Sequence, residues 1–237
     1  MVILAIVGAL LLPAEAMAVP ITVTTQNVRV GIPPAQAHHD IDQAAQNSSV
    51  VFTQEMGLRR ARNFAPRNWG VSHFAGLRQG DCATYWNRAI WTKQRAYITL
   101  LTNAPFRAGT RYALTTILHM RNTHTTVAFV CVHMITKTVR PSRRPVYARG
   151  MDRLGTMISH IRWPVVVGGD WNRNWPQRVA IPGLHTTRPP VATGPHGGRI
   201  DYMWWRGMKE TAKRVIHRTF SDHNGFRVHF RLHLNTQ

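Results

Sequence analysis

Apolar and polar positions alternate from Ile21 to Val30 (ITVTTQNVRV), the period-2 pattern of a half-buried strand. Gly31-Ile32-Pro33-Pro34 closes it, and Ala35 to Asn47 reads as a short polar helix. Ser49 to Gln54 is a second strand ending at Glu55, and Arg59 to Arg67 reads as a basic loop or helix. Further strands are predicted at Ala89–Thr92, Tyr112–Met120 and Thr126–His133, followed by a basic, proline-broken loop over Ile135–Arg144. Tyr147 to Ile161 sets Met151, Leu154, Ile158 and Ile161 at helical spacing, and Pro164 stops it. Val165 to Val167 opens the next strand, and Asn172 to Gly198 reads as loop, with prolines at 176, 182, 189, 190 and 195. Arg199–Trp205 and Phe226–Leu232 are the last strands. Strands dominate, helices sit between some of them, and no linker divides the chain. The pattern predicts one α/β domain over residues 19–237.

The first 18 residues stand apart. MVILAIVGALLLPAEAMA carries an apolar run and an Ala16-Met17-Ala18 pattern, as an export signal does, but its start has no Lys or Arg. Residues 1–18 are therefore expected to be a signal peptide or an N-terminal extension. A start at Met17 would instead leave the protein cytoplasmic. The run is too short for a stable membrane span. At 237 residues and 44% hydrophobic content the chain can bury a substantial core. Cys82 and Cys131 are too few for a disulfide scaffold or a structural zinc site, and their pairing is open.

Charge changes the picture most. Thirty Lys+Arg face 10 Asp+Glu, a formal net charge of +20. Such a field concentrates polyanions, nucleic acid first and anionic lipid next. The excess is mostly Arg, whose fork binds phosphate bidentately, although a GC-rich genome would also enrich Arg. Arg59, Arg60, Arg62 and Arg67, interleaved with Phe64 and Trp69, suit phosphate contacts and stacking rings; Arg140, Arg143 and Arg144 form a second candidate patch. Both could equally be solvated basic faces. The partner expected is nucleic acid, DNA before RNA, bound by a monomer.

The scarce acids are placed non-randomly. Glu55, Asp170, Asp201 and Asp222 lie where apolar segments end or begin. A carboxylate at a core edge costs free energy unless it is hydrogen-bonded, paired or metal-bound. Asn27, His133, Asn172 and His223 occupy similar positions, so a shared polar site on one rim of a sheet is expected. These residue types suit metal-assisted hydrolysis of a phosphate ester. A hard cation takes one or two carboxylates, a carboxylate activates water, and a carboxylate-held His stabilises phosphoryl charge. His38-His39-Asp40 looks metal-like in type, but adjacent residues point apart and a structural reading is preferred.

Six stretches now carry a resemblance: Thr25-Gln26-Asn27-Val28-Arg29, Val51-Phe52-Thr53-Gln54-Glu55, Phe129-Val130-Cys131-Val132-His133, Val167-Gly168-Gly169-Asp170-Trp171-Asn172, Arg199-Ile200-Asp201-Tyr202 and Ser221-Asp222-His223. In this order they resemble the endonuclease/exonuclease/phosphatase superfamily, which includes deoxyribonuclease I and exonuclease III-type enzymes. The resemblance implies a four-layer α/β sandwich, two mostly antiparallel sheets face to face with helices outside. It implies Glu55 as principal ligand of Mg²⁺ (or Mn²⁺), with Asn27 and Asp222 lining the metal side. Asp170 would position or activate water, Asn172 would hold the scissile phosphate, and His223, oriented by Asp201, would stabilise it. His133 would contact the phosphate or aid the leaving group, unless it is a core histidine. The function expected is a divalent-metal-dependent nuclease. Alternatives are a phosphoesterase for lipid or small-molecule esters and an inactive nucleic-acid-binding protein.

Overall fold

The computed structural model describes residues 18–57, 59–74, 81–106, 109–136, 140–175, 180–217 and 220–233. The expected leader lies outside these residues, Ala18 excepted. In chain order the elements are β1 (Ala18–Asn27), α1 (Pro34–Ala45), β2 (Val50–Gln54), β3 (Trp69–His73), β4 (Ala83–Asn87), β5 (Trp91–Thr102), β6 (Arg111–Met120), β7 (Thr126–His133), α2 (Arg144–Ser159), β8 (Val165–Asp170), β9 (His185–Thr186), β10 (Asp201–Arg206), β11 (Lys209–Ile216) and β12 (Gly225–His233). Two six-stranded sheets result, ordered β11-β12-β1-β2-β4-β3 and β5-β6-β7-β8-β10-β9. Among the described residues no helix is long and apolar enough to cross a membrane.

Each sheet contains one parallel pair, β1 with β2 and β7 with β8, and its other pairings are antiparallel. A parallel pair needs a crossover, and helices α1 and α2 supply it. Consequently β1, β2, β7 and β8 all run toward one rim, with Asn27 beside Gln54 and His133 beside Asp170.

The layers follow from which faces are apolar. Val50 and Phe52 of β2 point into the core between the sheets, while Val51 joins Ala37, Ile41 and Ala44 of α1 on the outer face. Both faces of β2 are thus covered, which explains its uninterrupted burial. Phe52 meets Phe129 across the sheets with ring centroids 6.4 Å apart. Side chains of this size contribute about 2–3 kcal/mol each on full burial. Helix α2 buries Tyr147, Met151, Leu154 and Ile158 on the second sheet. Arg227, buried on β12, donates to the Gln43 and Ala44 carbonyls at the end of α1. Those carbonyls have no partner inside the helix.

The glycines of Val165-Val166-Val167-Gly168-Gly169-Asp170 have separate causes. A Cβ on Gly168 would stand 2.7 Å from the Phe52 ring. At Gly169 φ is +155° and a Cβ would fall 1.8 Å from the Val132 carbonyl oxygen. The strand therefore approaches β7 closely just before Asp170. Gly169→Ala is expected to destabilise the fold by about 3 kcal/mol or more, read as a lowered melting temperature.

Several boundaries depart from the sequence pattern. The first strand ends at Asn27 rather than Val30, because Asn27 turns into the rim and Arg29 takes a positive φ of 48°. The strand expected at Ala89–Thr92 begins only at Trp91 and runs on to Thr102; Ala89 and Ile90 form the turn before it. Strands β3, β4 and β11 were not visible in the pattern. β11 is a mostly exposed edge strand (KETAKRVI), so nothing forces its residues to alternate. Within the loop expected over Asn172–Gly198, β9 adds two residues to a sheet edge. Cys82 and Cys131 are buried free thiols.

Candidate active site

The rim where β1, β2, β7 and β8 end gathers the polar residues. Asp170 is its centre. Its Oδ1 accepts the Asn172 backbone N–H at 2.8 Å. Its Oδ2 accepts Asn27 Nδ2 at 3.1 Å, and lies 3.5 Å from His133 Nε2 and 3.9 Å from His223 Nε2. Asp170 is 1% exposed. Burial and the neighbouring Asp201 charge push its carboxyl above the usual range, against the opposite pull of His133 and His223.

Each imidazole is held from behind by a second carboxylate. His223 Nδ1 is 2.9 Å from Asp201 Oδ2. Asp201 opens β10 directly opposite Asp170, and its own backbone N–H donates to Thr193 Oγ1 at 2.9 Å. Burial pulls the His223 imidazole down, but the Asp201 charge and hydrogen bond, with Asp170 and Asp222 beyond, carry it up to about 10. His133 Nδ1 lies 2.7 Å from Asp81 Oδ2 in a close ion pair rather than a well-aligned hydrogen bond. Arg111, at the start of β6, braces Asp81 at 3.4 Å. Burial disfavours both charges of this pair; their mutual attraction nonetheless raises His133 and, with Arg111, lowers Asp81. Asp201 thus favours the imidazolium form of His223, and Asp81 favours that form of His133, both beside one buried carboxylate.

Glu55 occupies the more open side, half-buried, at a positive φ of 60°. Its Oε1 accepts Asn27 Nδ2 at 3.1 Å and its Oε2 accepts the Val30 N–H at 2.8 Å. Asn27 is the link: one amide nitrogen serves Glu55 and Asp170, while its Oδ1 accepts the Arg29 N–H at 2.9 Å. In this conformation Asn27 presents a donor, not a metal-binding oxygen, to the carboxylates. Asp222 stands to the side, partly exposed and 3.8 Å from Arg29 Nε. Asn172, at a positive φ of 50°, donates Nδ2 to the Met134 carbonyl at 2.9 Å, which fixes the loop after β8 to the end of β7.

The donor set decides where a cation fits. Glu55, His133 and Asp170 offer atoms within 4.8 Å of one another, and so do Asp170, Asp201 and His223. An imidazolium has no lone pair for a metal, so the second group reads as a carboxylate–imidazolium assembly. On the first side Glu55 is the accessible carboxylate, and its hard oxygens suit Mg²⁺ or Mn²⁺. The residues present therefore fit a divalent cation at Glu55.

Asp81, which the sequence pattern did not single out, and Asp40, which it read as structural, complete the site. Asp81 pairs with His133 as described. Asp40, buried on α1, accepts the Ser221 N–H at 2.9 Å. Ser221 Oγ donates to the Asn27 carbonyl at 2.6 Å and accepts the His223 N–H at 3.1 Å. Asp40 thus anchors the turn that aims His223, giving the His38-His39-Asp40 stretch a structural reason. Asp40→Asn is expected to lower kcat about tenfold and stability by about 1–2 kcal/mol, checked by steady-state kinetics beside thermal melts.

The basic candidates divide. Arg59 is tied to the Ile32 carbonyl at 2.7 Å and the Glu55 carbonyl at 3.5 Å, so it braces the Glu55 segment. Arg60, Arg62 and Arg67 are exposed. Arg143 bonds the Thr136 carbonyl and lies over the Phe106 ring, while Arg140 and Arg144 are exposed. Of the tryptophans near the motifs, Trp171 and Trp204 are core residues and Trp175 and Trp205 are partly buried.

The family model of the Endonuclease/Exonuclease/phosphatase family matches residues 24–223, from β1 through His223. The chain belongs to this family. Among solved structures it is similar to an endonuclease/exonuclease/phosphatase family protein from Bacteroides thetaiotaomicron, at 15% identity and a TM-score of 0.75, covering 92% of this chain and 100% of that one. It is also similar to a humanized D. rerio TDP2, at 13% identity and a TM-score of 0.73, covering 89% and 98%. A third is ANGEL2, a 2',3'-cyclic phosphatase in complex with adenosine-2',3'-vanadate, at 11% identity and a TM-score of 0.72, covering 92% and 97%. Identities this low establish the shared fold. No curated protein matches the chain. The expected four-layer sandwich of this superfamily is the fold observed.

Proposed function

We propose that the chain is a divalent-metal-dependent phosphodiesterase that hydrolyses nucleic acid. One observation carries the reading: Asp170 is held between two carboxylate-backed imidazoles, His223–Asp201 and His133–Asp81, beside the open carboxylate of Glu55. A purely binding protein gains nothing from burying these charged groups together, because each is costly to desolvate.

Each group has a part in the reaction. Asp170 accepts the proton of the attacking water; its raised carboxyl pKa brings it closer to neutral pH than an ordinary Asp. His223 stays protonated and donates to the phosphoryl oxygen that gains charge. His133, protonated and braced by Asp81, faces the same centre from the other side and is placed to give a proton to the leaving oxygen. Asn172 keeps one amide hydrogen for a phosphate oxygen after bonding Met134. Glu55 would hold the cation, with Asn27 bonded to its carboxylate, and the cation would supply charge neutralisation at the phosphate.

The net charge of +20 supports a polyanionic substrate over a small ester. The test is a panel of phosphoesters: supercoiled DNA, single-stranded DNA and RNA, a phosphoinositide and a small aryl diester. Cleavage of nucleic acid well above the lipid, with steep salt inhibition, is expected. Preference for the phosphoinositide or the small aryl diester, insensitive to salt, would replace the nuclease reading by a phosphoesterase of another substrate.

A further inference from the structure

Two surface hollows adjoin on the Glu55 side. One has a volume of about 400 Å³ and is lined by Arg60, Arg62, Asn63, Val71 and His73. The other, about 410 Å³, is lined by Pro34, His38, Arg59, Arg60, Asn63 and Phe64. Arg60 and Asn63 belong to both, so the hollows share a wall. Arg59 joins the second hollow to the candidate site, because its guanidinium reaches the backbone carbonyl of Glu55 itself.

The lining combines two chemistries. Cations stand at the rims, and neither described lining includes a carboxylate, although His38 pairs with Asp42 at 3.6 Å along the helix. Apolar side chains complete the linings: Ala61 and Val71 in one, Pro34 and Phe64 in the other. Each hollow falls in the size range that encloses a small organic group. A duplex keeps its bases stacked inside and offers mainly phosphates to a side chain at its surface. An unpaired strand offers a flat apolar base together with a phosphate at every step. Hollows lined by apolar side chains and guanidinium groups match the second kind of ligand.

We propose that these two hollows are a track for successive unpaired nucleotides of a single strand, leading away from the scissile phosphate on the Glu55 side. The location of the cut rests on the phosphodiesterase reading; the strand-binding property of the track does not.

The test is fluorescence anisotropy of the full chain with a labelled single-stranded oligonucleotide of about twelve nucleotides and with its blunt duplex, in chelator so that no cleavage intervenes. The single strand is expected to bind at least tenfold more tightly than the duplex. Arg60→Glu with Arg62→Glu should weaken strand binding at least about tenfold, and should flatten the slope of log affinity against log salt by about 1.4, or roughly 0.7 for each phosphate no longer neutralised. Arg149→Glu with Lys209→Glu, exposed residues elsewhere, carries the same charge change and should cost less than threefold. Val71→Trp fills one hollow without changing charge; it should weaken the strand and leave the salt slope unaltered. A duplex bound as tightly as the strand, or equal losses from the two charge-reversed pairs, would overturn the track. Hydrolysis of bis(p-nitrophenyl) phosphate with Mg²⁺ on the same preparations reports the chemistry separately. Its absence beside strand-selective binding would support the track and overturn the phosphodiesterase reading.

Discussion

Asp170→Asn lowers kcat for phosphodiester hydrolysis by about 10³–10⁴-fold while the protein stays folded, if Asp170 is the base that takes a proton from water. The substitution is nearly isosteric. The amide oxygen can still accept the Asn172 N–H in place of Oδ1, while the NH2 that replaces Oδ2 gives up the Asn27 bond, a modest cost in a side chain of unchanged shape. What is lost is the negative charge facing His133 and His223. Two imidazolium rings then confront a neutral group, and water has no base. Steady-state kinetics on an oligonucleotide, with a thermal melt as control, separates the outcomes. A loss below tenfold in a folded protein would remove Asp170 from the chemistry.

Asp201→Asn is the second large effect, expected to lower kcat by about 10²–10³-fold at neutral pH, the scale of losing one preorganised charge-stabilising donor. It also makes a signed prediction for pH. His223 works as the imidazolium, the form present below its pKa. Burial favours the neutral ring, and Asp201 is the foremost group that overcomes burial to bring the ring up to about 10. Without that charge the pKa falls. Activity is expected to extend to alkaline pH in the parent, until His223 loses its proton, and to decline from a lower pH in the variant. A pH profile of kcat shows the displaced alkaline limb. An Asp201→Asn profile superimposable on the parent's, after scaling, would mean that Asp201 is structural and that the proton on His223 does not limit turnover.

Much of the site was legible because sheet burial and catalysis mark the sequence in one way. A strand that is covered on both faces, such as β2 or β8, reads as an apolar run, and a carboxylate at its end is conspicuous. Glu55, Asp170 and His133 all announce themselves thus. Asp81 does not. It precedes its strand instead of following one, after the polar stretch Arg78-Gln79-Gly80, and it reaches the rim only because β4 runs antiparallel to β2. Arg111 enters by the same route at the start of β6. Asp40 was hidden for another reason. It lies within a polar helix, and its partner, the Ser221 N–H, is 181 residues away in sequence. Local pattern shows where a chain is buried; it does not show which remote backbone group a buried carboxylate will meet.

The fold shows the same division. The inner strands were readable from their apolar residues. The outlying β3 and β11 were not: β3 alternates in burial but places Gly70 and Ser72, not apolar side chains, at its buried positions, and β11 is exposed along most of its length. β5 misled for a related cause. Its first half, Thr92-Lys93-Gln94-Arg95, is polar and exposed, although its hydrogen bonds to β6 continue through it with a bulge. Asn27 is the instructive case within the site. The resemblance placed it on the metal side; in the structure its amide nitrogen joins Glu55 to Asp170 and its oxygen holds the turn at Arg29. The assignment of the carboxylates to different tasks follows from that bridge: Asp170 faces the imidazoles, and Glu55 is left open to a cation.

The most direct test is cleavage of an end-labelled oligonucleotide by the metal-stripped protein, before and after Mg²⁺ or Mn²⁺ is restored, beside Glu55→Ala and His223→Ala. No cleavage is expected without metal, with recovery on its addition. Both variants should then remain at least about a hundredfold slower. Cleavage that persists in chelator, or that Glu55→Ala leaves unchanged, would contradict a metal-assisted reaction at this site.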